Sequence, residues 1–158
     1  MVMTRLALVC GVLAWGTSVF AQNTPSAGPT IVFVCEHGAA KSVVATAYFN
    51  KLAAEKGLRA RATFRGTNPQ QDLSQTTLAG LKADGVEIPT GQPSAIAQKD
   101  IDAATHIFAI GCTLPKNAAA SGKAADWSDV PDGQGYAAMR DAIRAHVEQL
   151  IAELQKRH

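Results

Sequence analysis

Residues 31–47 read IVFVCEHGAAKSVVATA, and the rest of the chain can be placed around this stretch. Its first part, residues 31–34, is apolar and mostly β-branched, which predicts a buried strand. Cys35 ends this strand, and a short loop of small residues follows. Lys41 and Ser42 then open a segment with helical spacing. The pattern is strand, loop and helix, with a thiol where the strand ends and a cation and a hydroxyl where the helix begins.

The start of a helix is a favourable place for an anion. Its first N–H groups have no partner within the helix, and the helix dipole adds a partial positive charge. This charge also favours the thiolate form of a cysteine, which is the nucleophilic form. We therefore predict that Cys35 is a nucleophilic thiolate facing an oxyanion. The alternative for Cys35 is a buried and inert thiol, which is common for cysteine.

The loop that begins at Cys35 resembles the phosphate loop of low-molecular-weight protein tyrosine phosphatases. It also resembles the loop of the thiol-dependent arsenate reductases that share their fold. That family's loop reads cysteine, five residues, arginine, and then serine or threonine; this chain has Lys41 and Ser42 at the last two places. His37 and Gly38 stand where the family usually has glycine and asparagine. The resemblance implies a single three-layer α/β domain, a small, about four-stranded parallel sheet flanked by helices.

The remainder of the chain agrees with this fold, because strand patterns alternate with helical ones. In parallel sheets of this kind, ligands bind at the carboxyl ends of the strands. Residues 113–125 are small and polar and are expected to form a surface loop. Strands are predicted for residues 31–34, 61–65 and 106–111, and helices for residues 41–56, 74–85, 99–104 and 134–156.

The beginning of the chain has a different character. Residues 1–21 are predicted to be a secretory signal peptide, since Arg5 precedes an apolar run, residues 6–16, that is too short to span a bilayer comfortably. The alternative is an uncleaved membrane anchor. Residues 22–29 are predicted to be a flexible lead-in, and residues 30–158 the phosphatase-like domain. We expect an exported protein, in the bacterial periplasm, that has no membrane contact after the signal is removed.

Composition limits the partners. The 15 basic and 13 acidic residues nearly balance, which gives no electrostatic reason to expect nucleic acid. Few residues are aromatic, so a surface on which bases stack is not expected either. Cys35 and His37 together supply only two metal ligands, and we expect no metal and no cofactor.

The loop after Cys35 would bind the oxyanion. Lys41 would also hold Cys35 as thiolate, although it could be an ordinary solvated lysine. Lysine is a flexible point charge, whereas arginine offers a rigid fork, so weaker catalysis is expected. Ser42 would assist the thiolate as a leaving group or cap the helix start. The predicted oxyanion-binding residues are Glu36, His37, Gly38, Ala39, Ala40, Lys41 and Ser42.

Glu36 and His37 form an unusual pair in this loop. A carboxylate beside a dianion site is unfavourable unless it is paired. Glu36 could point to solvent or hold His37 or Lys41. His37 could donate a hydrogen bond to the anion or tune Cys35.

Residues 125–133, ADWSDVPDG, resemble the general-acid loop of the family. Asp132 matches the family's acid best, and Asp129 is the second candidate. Either would protonate the leaving oxygen of a phosphoester and later activate water. The alternative for Asp132 is the N-cap of the last helix.

Cys112 distinguishes between activities. In an oxidising compartment Cys35 and Cys112 would be bonded to each other, active in redox chemistry or kept reduced by a thiol reductant. In the similar arsenate reductases, a cysteine at the end of this strand resolves the intermediate, and Cys112 matches that place. A second resolving cysteine of the thioredoxin-linked enzymes has no counterpart near Asn117. Alternatively, Cys112 is a small apolar residue that closes a buried strand.

Three functions follow, in order of preference. The first is a phosphatase-like hydrolase that uses Cys35 on phosphotyrosine-type phosphomonoesters, with Asp132 as the acid. The second is an arsenate reductase that uses Cys35 and Cys112. The third is a non-catalytic descendant of the fold that binds an oxyanion or a partner protein.

Overall fold

The computed structural model describes residues 28–157. The predicted signal peptide, residues 22–27 of the predicted lead-in and the final residue lie outside the described residues. The strands are β1 (Thr30–Cys35), β2 (Arg61–Gly66), β3 (His106–Ala109) and β4 (Ala124–Asp126). The helices are α1 (Lys41–Glu55), α2 (Gln75–Ala83), α3 (Gln98–Ala103), α4 (Lys116–Ala119) and α5 (Gly135–Lys156).

The four strands form one parallel sheet in the order β2-β1-β3-β4. β1 is therefore a central strand, as its apolar sequence predicts, and β3 is its neighbour. Cys35 closes β1 opposite Gly66 of β2. Because β1 and β3 are parallel neighbours, their carboxyl ends meet at one edge of the sheet.

Helices cover both faces of the sheet, because β1 alternates its side chains between them. Ile31 and Phe33 pack with α1 and α5 on one face. Val32 and Val34 pack against α3 and α4 on the other face. The predicted three-layer α/β domain with a four-stranded parallel sheet is confirmed.

The last helix is attached by the apolar stripe that its sequence predicts. Five of its residues are buried against α1 and the sheet: Ile143, Val147, Leu150, Ile151 and Leu154. The start of α2 also follows the prediction, since the Ser74 side chain accepts a hydrogen bond from the N–H of Thr77.

The prediction of a surface loop over residues 113–125 is wrong in part, because the stretch contains α4 and most of β4. All three residues of β4 are exposed, so no apolar alternation marks the strand. Its main chain pairs with β3, and Trp127 just beyond it donates to the carbonyl of Ala109 at 2.8 Å. A main-chain interaction of this kind leaves no pattern in the side chains.

A buried ion pair joins β2 to α3. The guanidinium of Arg65 donates to both carboxylate oxygens of Asp100, at 2.8 and 3.0 Å. Asp100 is 8% exposed and also accepts a hydrogen bond from the N–H of Ala97.

Within residues 28–157 no helix is both long and apolar enough to cross a bilayer.

Candidate active site

The loop after Cys35 is held by its main chain. Four of its carbonyl groups, those of residues 35, 36, 37 and 39, accept hydrogen bonds of 2.8–3.2 Å from N–H groups between residues 67 and 74. Among the described residues, the N–H groups of residues 37–42 donate to no carbonyl or side chain. With the carbonyls bound on one side, these N–H groups are the unpaired donors that suit an anion.

A contact between two glycines sets the shape of this loop. Gly38 has a φ of +60°, which non-glycine residues rarely adopt. A Cβ atom on Gly38 would lie 2.9 Å from the backbone nitrogen of Gly66. A Cβ atom on Gly66 would likewise lie 2.9 Å from the nitrogen of Gly38. Any larger residue at either position would push the loop away from the end of β2.

Cys35 and Ser42 face each other across the loop. The Sγ atom of Cys35 lies 3.2 Å from the Oγ atom of Ser42, and both side chains are buried. Ala40 is the N-cap of α1 and Ser42 is the second residue of the helix. The hydroxyl of Ser42 thus contacts the sulfur of Cys35, with either atom able to donate, and no side chain caps the start of the helix.

Lys41 reaches across the mouth of the loop. Its side chain is only 13% exposed, and its Nζ atom lies 2.5 Å from Oδ1 of Asp132. It also lies against Gly111, whose φ is +62° and whose Cβ, if present, would be 2.6 Å from Nζ. The amine is therefore held between the end of β3 and the loop that follows β4.

The two candidate acids occupy different places. Asp132 pairs with Lys41 and is 75% exposed. Asp129 instead accepts hydrogen bonds of 2.9 Å from the ring of His146 on α5. The N-cap of α5 is Gln134, so the alternative that Asp132 caps this helix is wrong. The structure brings Asp132, and not Asp129, to the cation of the loop.

Cys112 lies half-buried just past β3, and its Sγ donates to the carbonyl of Val34 at 3.4 Å. Burial raises the pKa of the Cys112 thiol to about 11, and the nearby charges of Cys35 and Lys41 act on it in opposite directions. Both cysteines within residues 28–157, Cys35 and Cys112, are free thiols. Asn117, at the place where a second resolving cysteine would be needed, binds the side chain of Gln98.

Glu36 and His37, the unusual pair of the loop, have different surroundings. Glu36 is exposed and makes no ion pair or side-chain hydrogen bond within the described part of the chain. The ring of His37 lies 3.3 Å from the carbonyl oxygen of Asn68, so it contacts the neighbouring segment. Of the other predicted loop residues, Ala39 is buried and Ala40 is half-buried.

Sequence reasoning missed three residues near the site. Gly66 and Gly111 matter because they have no side chain, and only the fold shows what a side chain would meet there. His146 is a single histidine in a helix, and its sequence context gives no sign of its contact with Asp129. No three His, Cys, Asp or Glu side chains within residues 28–157 gather so as to hold a metal ion.

Comparison with solved structures confirms the architecture. The chain superimposes on YfkJ of Bacillus subtilis with a TM-score of 0.72 at 21% identity, covering 84% of this chain and 98% of that one. A low-molecular-weight phosphotyrosine phosphatase of Vibrio cholerae gives a TM-score of 0.70 at 17% identity, over 82% and 99% of the two chains. A thioredoxin-dependent arsenate reductase of Corynebacterium glutamicum gives 0.69 at 20% identity, over 85% and 65%. At these identities the similarity concerns the fold.

A family model gives the assignment. The model for low molecular weight phosphotyrosine protein phosphatase matches residues 30–126, which is more than half of the chain and includes the whole loop from Cys35 to Ser42. The match ends before Asp129 and Asp132, so the family model does not bear on the roles of these two residues. The resemblance noted in the sequence is confirmed, and this chain belongs to the low-molecular-weight phosphotyrosine protein phosphatase family.

Proposed function

We propose that this protein is a phosphatase that uses Cys35 as the nucleophile on phosphotyrosine-type phosphomonoesters. One observation carries the proposal: the sulfur of Cys35 lies where α1 begins, 3.2 Å from the Oγ atom of Ser42, beside N–H groups that have no hydrogen-bond partner within residues 28–157. An anion in this loop would meet those donors and the amine of Lys41. The family to which the chain belongs supports the same activity.

The geometry supports a two-step reaction. The thiolate of Cys35 attacks phosphorus, and a sulfur–phosphorus bond forms while the phosphorus–oxygen bond of the ester breaks. Asp132 gives its proton to the leaving oxygen. Asp132 then takes a proton from water, the resulting hydroxide attacks phosphorus, and inorganic phosphate leaves as the thiolate is restored. Ser42 stabilises the sulfur as it leaves.

Lys41 must change partners during this reaction. It pairs with Asp132 in the structure, whereas binding of a phosphoryl dianion would draw its amine toward the loop. The change would also release the carboxyl group of Asp132, which has to be protonated before it can act as an acid. A point charge in this place should stabilise the transition state less well than an arginine fork.

Turnover of p-nitrophenyl phosphate by the fully reduced protein tests this proposal. Cys35→Ser should abolish turnover, because the alcohol is a poor nucleophile at neutral pH. Cys112→Ser is the matched control and should leave turnover within about twofold of the wild type, since Cys112 takes no part in the two steps. Absence of turnover by the unmodified, reduced protein would exclude the proposal.

Arsenate reduction is the second candidate, favoured by the position of Cys112 at the end of the strand next to β1. Cys35 would bond to arsenate with loss of water, and Cys112 would then attack the Cys35 sulfur. A disulfide forms, arsenate is reduced to arsenite by the two electrons of the thiols, and an external thiol reductant restores the enzyme. With a pKa of about 11, only about one Cys112 in 10⁴ is a thiolate at pH 7.

A single variant distinguishes phosphatase activity from arsenate reduction. Cys112→Ala should abolish arsenate-dependent disulfide formation while leaving phosphatase turnover in place. If neither activity is found, but the reduced protein binds phosphate, the non-catalytic reading is supported.

We also propose that the protein is exported to the periplasm with removal of residues 1–21. The charged start, the short apolar run and the small residues before residue 22 support this. N-terminal sequencing of protein purified from the periplasm should give Gln22 as the first residue. An intact N-terminus on protein held in the membrane fraction would show an anchor instead.

A further inference from the structure

Two contacts join the segment before Asp132 to the middle of α5. The Nε2 atom of His146 lies 2.9 Å from both carboxylate oxygens of Asp129. The ring of His146 also stacks on the indole of Trp127, with centroids 4.7 Å apart and planes inclined by 13°. A carboxylate only accepts, so Nε2 carries the hydrogen and donates it. One side chain thus holds two residues of the same segment.

The helix that carries His146, α5, is fixed to the rest of the domain at two places. Ile143 and Val147, on either side of His146, are fully buried in the core. At the start of the helix, the hydroxyl of Tyr136 donates a 2.8 Å hydrogen bond to Asp84, which lies at the end of α2. His146 therefore projects from an element that is fixed along its length and at its first turn.

The segment between Asp129 and the start of α5 at Gly135 is short, so its movement is restricted. Gly135 and His146 are separated by about 16 Å along the axis of α5, at about 1.5 Å per residue. Residues 129–135 can span at most about 20 Å when fully extended. Asp132 lies at the middle of this span, so the attachment of Asp129, together with that of Val130, which is buried in the core, limits where Asp132 can reach.

We propose that His146 is a positioning residue for Asp132. By fixing Asp129 to α5 and covering one face of Trp127, which the core already holds, it keeps the carboxyl group of Asp132 close to Lys41 and the anion. Asp129 then anchors the loop and does not act as a second general acid. This inference rests on the proposed function, since it concerns the proton that Asp132 gives to the leaving oxygen.

The dependence on the leaving group tests the role. Phenyl phosphate, whose leaving oxygen is basic, needs the proton of Asp132 far more than p-nitrophenyl phosphate does. His146→Ala should lower kcat/KM on phenyl phosphate at least tenfold and kcat/KM on p-nitrophenyl phosphate less than threefold, because kcat/KM reports the departure of the leaving oxygen and not the later activation of water. Asp132→Asn should show the same pattern. The double variant should be no slower than Asp132→Asn alone, because both changes remove one function.

Two further variants make the result specific. His146→Gln keeps an N–H donor near the position of Nε2 and should recover part of the loss on phenyl phosphate. His106→Ala is the matched control, since His106 is also half-buried and stacked on an aromatic ring, that of Phe108, but lies at the opposite end of β3. It should change neither rate by more than about twofold.

Fluorescence shows whether the anchor exists independently of turnover. Trp127 is 6% exposed, and its own signal is obtained as the difference from a Trp127→Phe variant. His146→Ala should raise quenching of this signal by acrylamide about twofold, whereas Asp132→Asn should not. Unchanged quenching in His146→Ala would overturn the anchor.

The kinetic outcomes separate the two proposals. Absence of turnover of both substrates by the unmodified protein would overturn the proposed function. Turnover by the unmodified protein, with an equal loss or no loss on the two substrates in His146→Ala, would overturn the role of His146 alone.

Discussion

The Nζ atom of Lys41 and the Oδ1 atom of Asp132 lie 2.5 Å apart, so the cation of the loop and the proposed acid form one ion pair. Asp132 is mostly exposed, and a pair that is open to water on one side adds little stability. The pair can therefore open at small energetic expense when a dianion competes for the amine. In the proposed reaction, the pair links the residue that would bind the anion to the residue that would supply the proton.

Replacing Lys41 tests the charge and its geometry separately. Lys41→Met removes the charge and should lower kcat/KM for p-nitrophenyl phosphate about 100-fold. Lys41→Arg supplies a guanidinium that can bind two phosphate oxygens at once, and it should raise kcat/KM above that of the wild type. Lys51→Met, on the exposed side of α1 where Lys51 pairs with Glu55, is the control and should have no effect. An arginine variant no more active than the methionine variant would contradict the assigned role.

Gly111 should matter for activity more than for stability. Gly111→Ala places a methyl group against the amine of Lys41 and should lower kcat/KM about tenfold by displacing it. The backbone penalty of a positive φ, about 1 kcal/mol, is matched by Gly122→Ala. Gly122 has a φ of +71°, and nothing lies within 4 Å of its added Cβ. Thermal unfolding should show similar losses, and only Gly111→Ala should lose activity.

The buried carboxylate of Asp100 should make stability depend on pH. Burial alone would raise its pKa, but the hydrogen bonds from Arg65 and from Ala97 outweigh burial and lower the pKa. The folded pKa thus lies below the usual value of about 3.9. The stabilisation is complete above that value and is lost as the pH falls through the folded pKa.

Asp100→Asn should therefore lower the free energy of unfolding by about 2 kcal/mol at pH 7, and the deficit should shrink below about pH 4. Urea unfolding at pH 7 and pH 3 measures both values. Asp102→Asn, an exposed change on the same helix, serves as the control and should have little effect at either pH. An equal deficit at the two pH values would refute the argument.

Cys112 should react slowly with alkylating reagents at neutral pH. Its pKa of about 11 means that the reactive thiolate grows about tenfold for each unit of pH between 7 and 10. Mass spectrometry of the peptide containing Cys112, after iodoacetamide treatment of Cys35→Ser, gives the rate. A rate that levels off below pH 9 would show that burial does not govern this thiol.

The fold was predictable because its main signals are local. The apolar run before Cys35, the stripe on α5 and the cap at Ser74 each follow from neighbouring residues. β4 was not predictable, because its three exposed residues pair only through the main chain. In the site, Cys35 and Ser42 belong to one short motif, and their proximity follows from the strand–loop–helix pattern.

The remaining contacts of the site depend on tertiary structure. Gly111 touches Lys41 only because β3 lies next to β1. His146 meets Asp129 only because α5 packs where the chain leaves β4. Neither residue type signals such a contact in the sequence, since glycines end many strands and single histidines are common on helix surfaces. The sequence could place Cys35 and Ser42 together, but it could not show which residues contact Lys41 and Asp129.

The four main-chain hydrogen bonds between the loop after Cys35 and residues 67–74 use no side chain of the loop. The curvature of the loop therefore does not require the side chains of Glu36 and His37, which are both exposed. These two residues can be exchanged to change which phosphoesters are accepted while the N–H groups of the loop keep their places. Selectivity and the capacity to bind an anion are in this way separately adjustable within eight consecutive residues.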